Sequence, residues 1–256
     1  HTWNADHTYV LNVFNSLNKI NFDATNVLGF SPSKQQAAEA RFLRALSLYY
    51  LMDLYGQYPV RNPGDNLLNA PEVKSGAAGA QFIIDELTAS LNDLPNTVSP
   101  GKATQDACKT LLMKCYLNKG VVANRAAPTF DAADMQQVIT LADQVTATGK
   151  YALDDNYFDN FAKDNDAIST ENIFTLFNQN GDRGGNNQSR WYMTLHYNQT
   201  PSGWNGFTTL SDFYDKFEAA DTRRGADYPG VTDVSGLKVG LLYGQQYNAA
   251  GTALND

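Results

Sequence analysis

The sequence predicts a mainly α-helical fold, with a scaffold of stacked helical hairpins over residues 1–150 and a loop-rich region with little β structure over 151–256. Three observations predict it. Apolar residues recur at three- and four-residue spacings from residue 8 to residue 149, the period of one helix face. One segment, AEARFLRALSLYYLMDLYGQYPV at 38–60, is apolar on nearly every side, as a helix packed by several neighbours would be. Beyond 150 the periodicity gives way to Gly, Asn and aromatic residues in irregular order.

The elements follow in turn. In TYVLNVFNSLNKINFDATNVL (8–28), Val10, Val13, Phe14, Leu17, Ile20 and Ala24 mark one helix face and the asparagines an outer face. SPSK at 31–34 supplies a helix start, and the 38–55 helix follows. Gly56 provides a left-handed stop and Pro59 prevents resumption. RNPGDNLLNAPEVKSG (61–76) reads as a turn-rich surface loop. AAGAQFIIDELTASLNDLPN then sets Ile83, Leu87, Leu91 and Leu94 on one face and ends at Pro95. The next helix, in TQDACKTLLMKCYLNKG, runs to Gly120, and FDAADMQQVITLADQVTATGKY gives another, with Met135, Val138, Ala142 and Val145 as its stripe and Gly149 as its stop. The 104–149 pair has the small-residue spacing of a tetratricopeptide-type hairpin, in which alanines let two helices approach closely. One such hairpin cannot bury its own apolar face, so its neighbours must stack on it, and the 38–55 helix becomes an inner member of the stack. After 150 come a strand-like piece at 172–178, a long Gly/Asn/aromatic loop, a short helix carrying Phe213 and Phe217, and an end with no terminating element.

Composition narrows the function. The 256 residues carry a net charge of −8 and a pI near 4.8, with no five-residue basic run. That argues against nucleic acid or an anionic lipid surface as a partner, because both require concentrated Lys and Arg. No stretch reaches the roughly 18 uncharged apolar residues of a membrane span. Cys108 and Cys115 lie on one helix, where their seven-residue separation puts the Cα atoms roughly 10 Å apart. A disulfide spans at most about 7 Å, so they read as buried thiols. The chain opens at His1 with no initiator Met, leader or lipidation motif, so it reads as mature or as cut from something longer.

Three stretches then combine. AEARFLRALSLYYLMDLYGQYPV, GKATQDACKTLLMKCYLNKG and GWNGFTTLSDFYDKFEAADTRRG resemble, in this order and spacing, the SusD/RagB family of outer-membrane glycan-binding lipoproteins of the Bacteroidetes. TYVLNVFNSLNKINFDATNVL fits the helix before the first of them. The resemblance implies part of a single SusD-like domain, truncated at both ends, with 1–150 the scaffold and 151–256 the ligand-facing region. It also implies a non-catalytic binder of oligosaccharide, held at the cell surface of the outer membrane by a lipid anchor outside this chain. Its implied partner is a SusC-like TonB-dependent transporter, over which it sits as a lid.

Sugar recognition needs flat aromatic faces for the C–H-rich ring and amides or carboxylates for the hydroxyls. Loop 179–207 has that chemistry in Trp191, Tyr192, His196, Tyr197 and Trp204, among Asn186, Asn187, Gln188 and Asn205. Trp204, inside the family-like GWNG, reads first as a packing anchor and second as a glycan contact, and Trp191 and Tyr192 admit both readings. Trp3 is a further candidate, with a frayed terminus as its alternative. The glycan-binding candidates are therefore Trp3, Trp191, Tyr192, Trp204 and Asn205.

Arg41 and Arg44, at i,i+3, have the charge to grip a uronic acid, but on a buried helix they read first as a structural ion pair, as does Asp221 with Arg223 and Arg224. DNDAISTE at 164–171 lacks the third oxygen ligand, the turn Gly and the spaced Glu of an EF-hand, so calcium remains an option only through scattered loop carboxylates. Neither His1, His7, His196 nor the cysteines show zinc spacing, and no cofactor is expected. The competing classes are an all-helical glycoside hydrolase, a peptide-binding member of the same family, and a helical scaffold without a ligand. No catalytic motif such as G-x-S-x-G, H-E-x-x-H or a P-loop occurs.

Overall fold

The structure, a computed structural model, describes residues 4–161, 165–176, 199–200, 213, 216–218, 220–221 and 232–233. The chain divides into two compact units, His1–Ala152 with Ile173–Thr175, and Leu153–Asn172 with Leu176–Asp256.

The first unit is a stack of helices: α1 (Thr8–Gly29), α2 (Lys34–Tyr55), α3 (Gly76–Ser90), α4 (Gln105–Ala123) and α5 (Ala132–Thr146), each packed against the next. Their ends follow capping chemistry. Ser33 Oγ accepts from the Gln36 backbone N–H while the Gln36 side chain accepts from the Ser33 N–H, so two otherwise orphaned donors are satisfied at the start of α2. Gly56 stops the helix at φ 74°, a conformation open to glycine at little cost. Arg125, from the loop after α4, donates to the Met52 and Asp53 carbonyls and neutralises the negative end of α2. Thr104 and Asp131 cap α4 and α5.

The core lies around α2. Ala45, Leu48 and Leu51 meet Ile83 and Leu87 of α3 and Cys108, Leu111 and Leu112 of α4. Each fully buried leucine contributes roughly 2 kcal/mol through lost apolar exposure. The inner-helix expectation holds for this face, whereas Leu43, Tyr50 and Leu54 stay substantially exposed. On α1 the apolar stripe is wider than its contact. Phe14 and Leu17 pack on the core, but Val13 and Ile20 remain more than two-fifths exposed because α1 packs chiefly on one helix.

Four sequence expectations need correction. The 61–76 stretch is not all loop: β2 (Glu72–Ser75) pairs antiparallel with β1 (Gln57–Val60), with Val60 opposite Glu72. Pro59 fits because each strand of a two-stranded ribbon is an edge. The cysteine helix passes Gly120 and ends at Ala123. The asparagine face of α1 is not uniformly outward, since Asn21 is buried. Residues 172–176 form no strand; Phe174 packs edge-on against Phe42 and the Thr175 N–H donates to the Pro100 carbonyl.

In the second unit a 3-10 turn (Tyr157–Phe161) and a short helix α6 (Asn165–Ile168) precede a two-residue ribbon of β3 (Gln199–Thr200) and β4 (Thr232–Asp233).

Candidate functional site

The residues that sequence reasoning singled out for glycan contact, Trp3, Trp191, Tyr192, Trp204 and Asn205, lie outside the described residues, as do His196, Tyr197, Arg223 and Arg224. The described part of the chain contributes a different feature, a cleft of about 240 Å³ between α1 and the loop that joins the two strands of the ribbon.

Its α1 wall is a stripe of Asn18, Asn21, Phe22, Thr25 and Asn26, residues that share a face at three- and four-residue spacing. Two contacts fix that wall. The Asn21 side-chain amide donates to the Pro59 carbonyl of β1 at 2.9 Å, and the Thr25 hydroxyl donates back to the Asn21 carbonyl. The opposite wall is loop 61–71, folded around Arg61. Its guanidinium donates to the Asn66 carbonyl at 3.2 Å and the Asn69 carbonyl at 2.6 Å. Asp65 Oδ2 accepts from the Asn62 N–H, and Gly64 reverses the chain at φ 84°. The loop is thus held by its own polar groups, while Arg61 has no carboxylate partner among the described residues and keeps its positive charge beside the cleft.

One polar atom behind the α1 wall is unsatisfied. Asn18 Nδ2 donates to the Phe14 carbonyl, while its Oδ1 is buried with no hydrogen-bond partner among the described residues. A buried acceptor left unpaired costs about 1–3 kcal/mol. Asn26 and Asn62 are exposed side chains, and Phe22 is 41% exposed. The asparagine face read from the sequence contained this signal without its second wall. A wider depression of about 560 Å³ lies beside Phe213, Lys216 and Phe217 in the second unit.

The remaining charged clusters are structural. Glu86 on α3 receives Arg41 Nη1 at 2.7 Å and Arg44 Nε at 2.9 Å, and Arg44 lies against the Phe82 ring. Arg44 and Glu86 are both buried, so the arginines are engaged by the protein itself, as the ion-pair reading expects. Asp106, fully buried at the start of α4, pairs with Lys150 Nζ at 2.8 Å and Lys109 Nζ at 3.4 Å, tying α4 to the chain beyond α5. In the second unit the Thr170 hydroxyl and N–H both donate to Asp154, which holds its carboxyl below the usual range. Glu171 Oε1 accepts from the Asp154 N–H and the Asn160 amide. These carboxylates are occupied by protein donors, and among the described residues no group of three or more His, Cys, Asp or Glu side chains is placed to hold a metal ion. Burial pushes the Cys108 thiol up to about 11 and the Cys115 thiol up to about 12, so neither is a nucleophile at neutral pH. No helix among the described residues is long and apolar enough to cross a membrane.

No protein-family model matches the chain. It is 32% identical over 146 residues to the starch-binding protein SusD of Bacteroides thetaiotaomicron, a match that covers 56% of this chain and 25% of that protein. It is 23% identical over 234 residues to a SusD-like protein of Bacteroides ovatus, covering 87% of this chain and 41% of that one. The chain thus spans less than half the length of these curated relatives. The crystal structure of a SusD-like carbohydrate-binding protein from Bacteroides fragilis superposes with a TM-score of 0.68 at 20% identity, over 98% of this chain and 49% of that one. This last likeness shows that the chain has the helical fold found in SusD-like proteins.

Proposed function

We propose that this chain is part of a SusD/RagB-family protein that binds oligosaccharides at the cell surface without cleaving them and delivers them to a SusC-like TonB-dependent transporter. In this reading the full-length protein is held on the outer membrane by a lipid anchor outside the chain. The observation that carries it is the 32% identity to a starch-binding protein over 146 residues. The helices form a scaffold, and recognition falls to irregular segments carried on it. Trp191, Tyr192, Trp204 and Asn205, with Trp3, supply ring faces and an amide suited to a neutral, hydroxyl-rich ligand.

Binding by stacking and neutral hydrogen bonds changes little with salt, unlike capture of a charged ligand. Calorimetric titration of a maltooligosaccharide, a xyloglucan oligosaccharide and a laminarin oligosaccharide at low and high ionic strength tests this. Saturable binding to one of them with nearly equal affinity in both buffers is the expected result, weakened at least about tenfold in Trp191→Ala/Tyr192→Ala, at roughly 1 kcal/mol per lost ring. Full affinity in the folded double variant removes those two rings from the site, and a steep salt dependence overturns the stacking mechanism.

A further inference from the structure

Residues 153–172 leave the first unit and the chain then returns to it, and the forces that hold this segment differ from those that hold its ends. We propose that it is a hinged strap, latched by Asp154, Asn160 and Glu171, that opens and closes as one unit while the helices stay folded.

The ends are fixed by buried groups. Before the segment, Lys150 Nζ reaches the fully buried Asp106 of α4 at 2.8 Å. After it, Ile173 packs on the core, the Phe174 ring lies edge-on to that of Phe42 at 5.2 Å, and the Thr175 N–H donates to the Pro100 carbonyl at 2.8 Å. Between these anchors the character reverses. No residue of 153–172 whose burial is described is buried, and Leu153 is 87% exposed. A segment with so little apolar burial takes its order from hydrogen bonds, and such segments are the first to open.

Those bonds run between two limbs, 153–161 and 165–172. Asp154 Oδ1 accepts from the Thr170 N–H at 3.0 Å and from the Thr170 hydroxyl. Glu171 Oε1 accepts from the Asp154 N–H at 3.0 Å and from the Asn160 amide at 2.9 Å. The Ser169 hydroxyl donates to Asn160 Oδ1 at 2.6 Å and accepts from the Glu171 N–H at 3.2 Å. Asn160, Ser169 and Glu171 therefore close a ring of bonds, and Glu171 joins that ring to Asp154. Members of such a ring polarise and position one another, so the loss of one weakens the rest. The two carboxylates make their bonds charge-assisted, which concentrates the latch in a few groups. Opening carries the Tyr157–Phe161 ring pair away with the first limb, whereas the anchors keep the points at which the chain leaves and rejoins the first unit.

The test is amide hydrogen exchange of the whole protein, resolved to single residues by mass spectrometry, at the N–H groups of Asp154, Asp159, Ser169, Thr170 and Glu171. In the unmodified protein each should exchange at least about tenfold more slowly than in an unfolded chain. Asp154→Ala and Asn160→Ala should each speed all of these amides by one common factor of about tenfold, with exchange in α4 and α5 and the melting temperature unchanged. Asp154→Asn, which keeps an acceptor and loses the charge, should have a smaller effect of the same uniform kind.

Faster exchange confined to the amide that each substitution unbonds would show separate bonds and overturn the inference. So would faster exchange that spreads into α4 and α5, or amides unprotected in the unmodified protein. Neither substitution touches a residue assigned to glycan capture, so the result stands apart from that reading.

Discussion

Replacing Glu86 by Ala tests how the helical stack is held together. Glu86 is 7% exposed and Arg44 4% exposed, and the carboxylate receives the Arg44 guanidinium at 2.9 Å and that of Arg41 at 2.7 Å. Truncation leaves Arg44 buried with only a long 3.4 Å bond to Thr25 and the Phe82 ring as company. A buried charge stripped of its partner costs about 3–5 kcal/mol, a large share of the roughly 5–15 kcal/mol that holds a domain folded. For a chain of this size that is a fall of roughly 6–20 °C in melting temperature, at about 2–4 °C per kcal/mol. Urea unfolding followed by circular dichroism measures it, with an unchanged slope against denaturant marking a true stability effect. Changing both partners, Arg44→Met with Glu86→Leu, removes the desolvation penalty together with the pair and should recover most of the loss. A loss below about 1 kcal/mol in Glu86→Ala would refute the reasoning, because it would mean that water screens the pair.

Other consequences are quick to check. A Cβ on Gly120 would sit 1.6 Å from the Thr129 carbonyl oxygen, a backbone atom, so Gly120→Ala should cost about 3 kcal/mol, whereas a Cβ on Gly79 meets the movable Met52 methyl end at 2.1 Å and should cost under about 1 kcal/mol in the same melts. Cys108 and Cys115 should resist Ellman's reagent at pH 8 in the native protein and react in urea. Their raised values also set a sign: the folded state keeps the proton, so this contribution is full below the ordinary thiol value and is lost as pH climbs from about 9 toward about 11 and about 12, lowering the melting temperature over that range. Asp154 runs the other way. Its depressed value stabilises the fold above the ordinary carboxylate range and is lost on acidification, and Thr170→Val should move its carboxyl resonance back toward an ordinary titration.

How far the sequence reveals this molecule depends on the element. The helices are legible because 3.6-residue periodicity and terminal chemistry coincide, as at Ser33 with Gln36 and at Gly56. The Arg41–Arg44 pair is legible because charge on a buried helix must find a partner, although nothing in the sequence names Glu86. The β1–β2 ribbon is hidden: QYPV and EVKS are four residues each, and a proline in one of them weakens its strand pattern. The extra turn of α4 past Gly120 is equally hidden, since an isolated glycine late in a helix reads as a stop until the close approach of Thr129 explains it. Half of the cleft was visible as an asparagine face on α1; the other half depends on a fold of loop 61–71 around Arg61, which no periodicity encodes. The aromatic candidates in loop 179–207 come from composition and resemblance alone, because loop geometry does not follow from residue type.

The central claim is non-catalytic glycan capture, and native electrophoresis in gels cast with starch, xyloglucan or laminarin, with a reducing-end assay on the same protein–polysaccharide mixtures, tests it most directly. Retardation by at least one polymer without new reducing ends is the expected result. New reducing ends would make the protein a hydrolase, and free migration through every gel would contradict glycan binding.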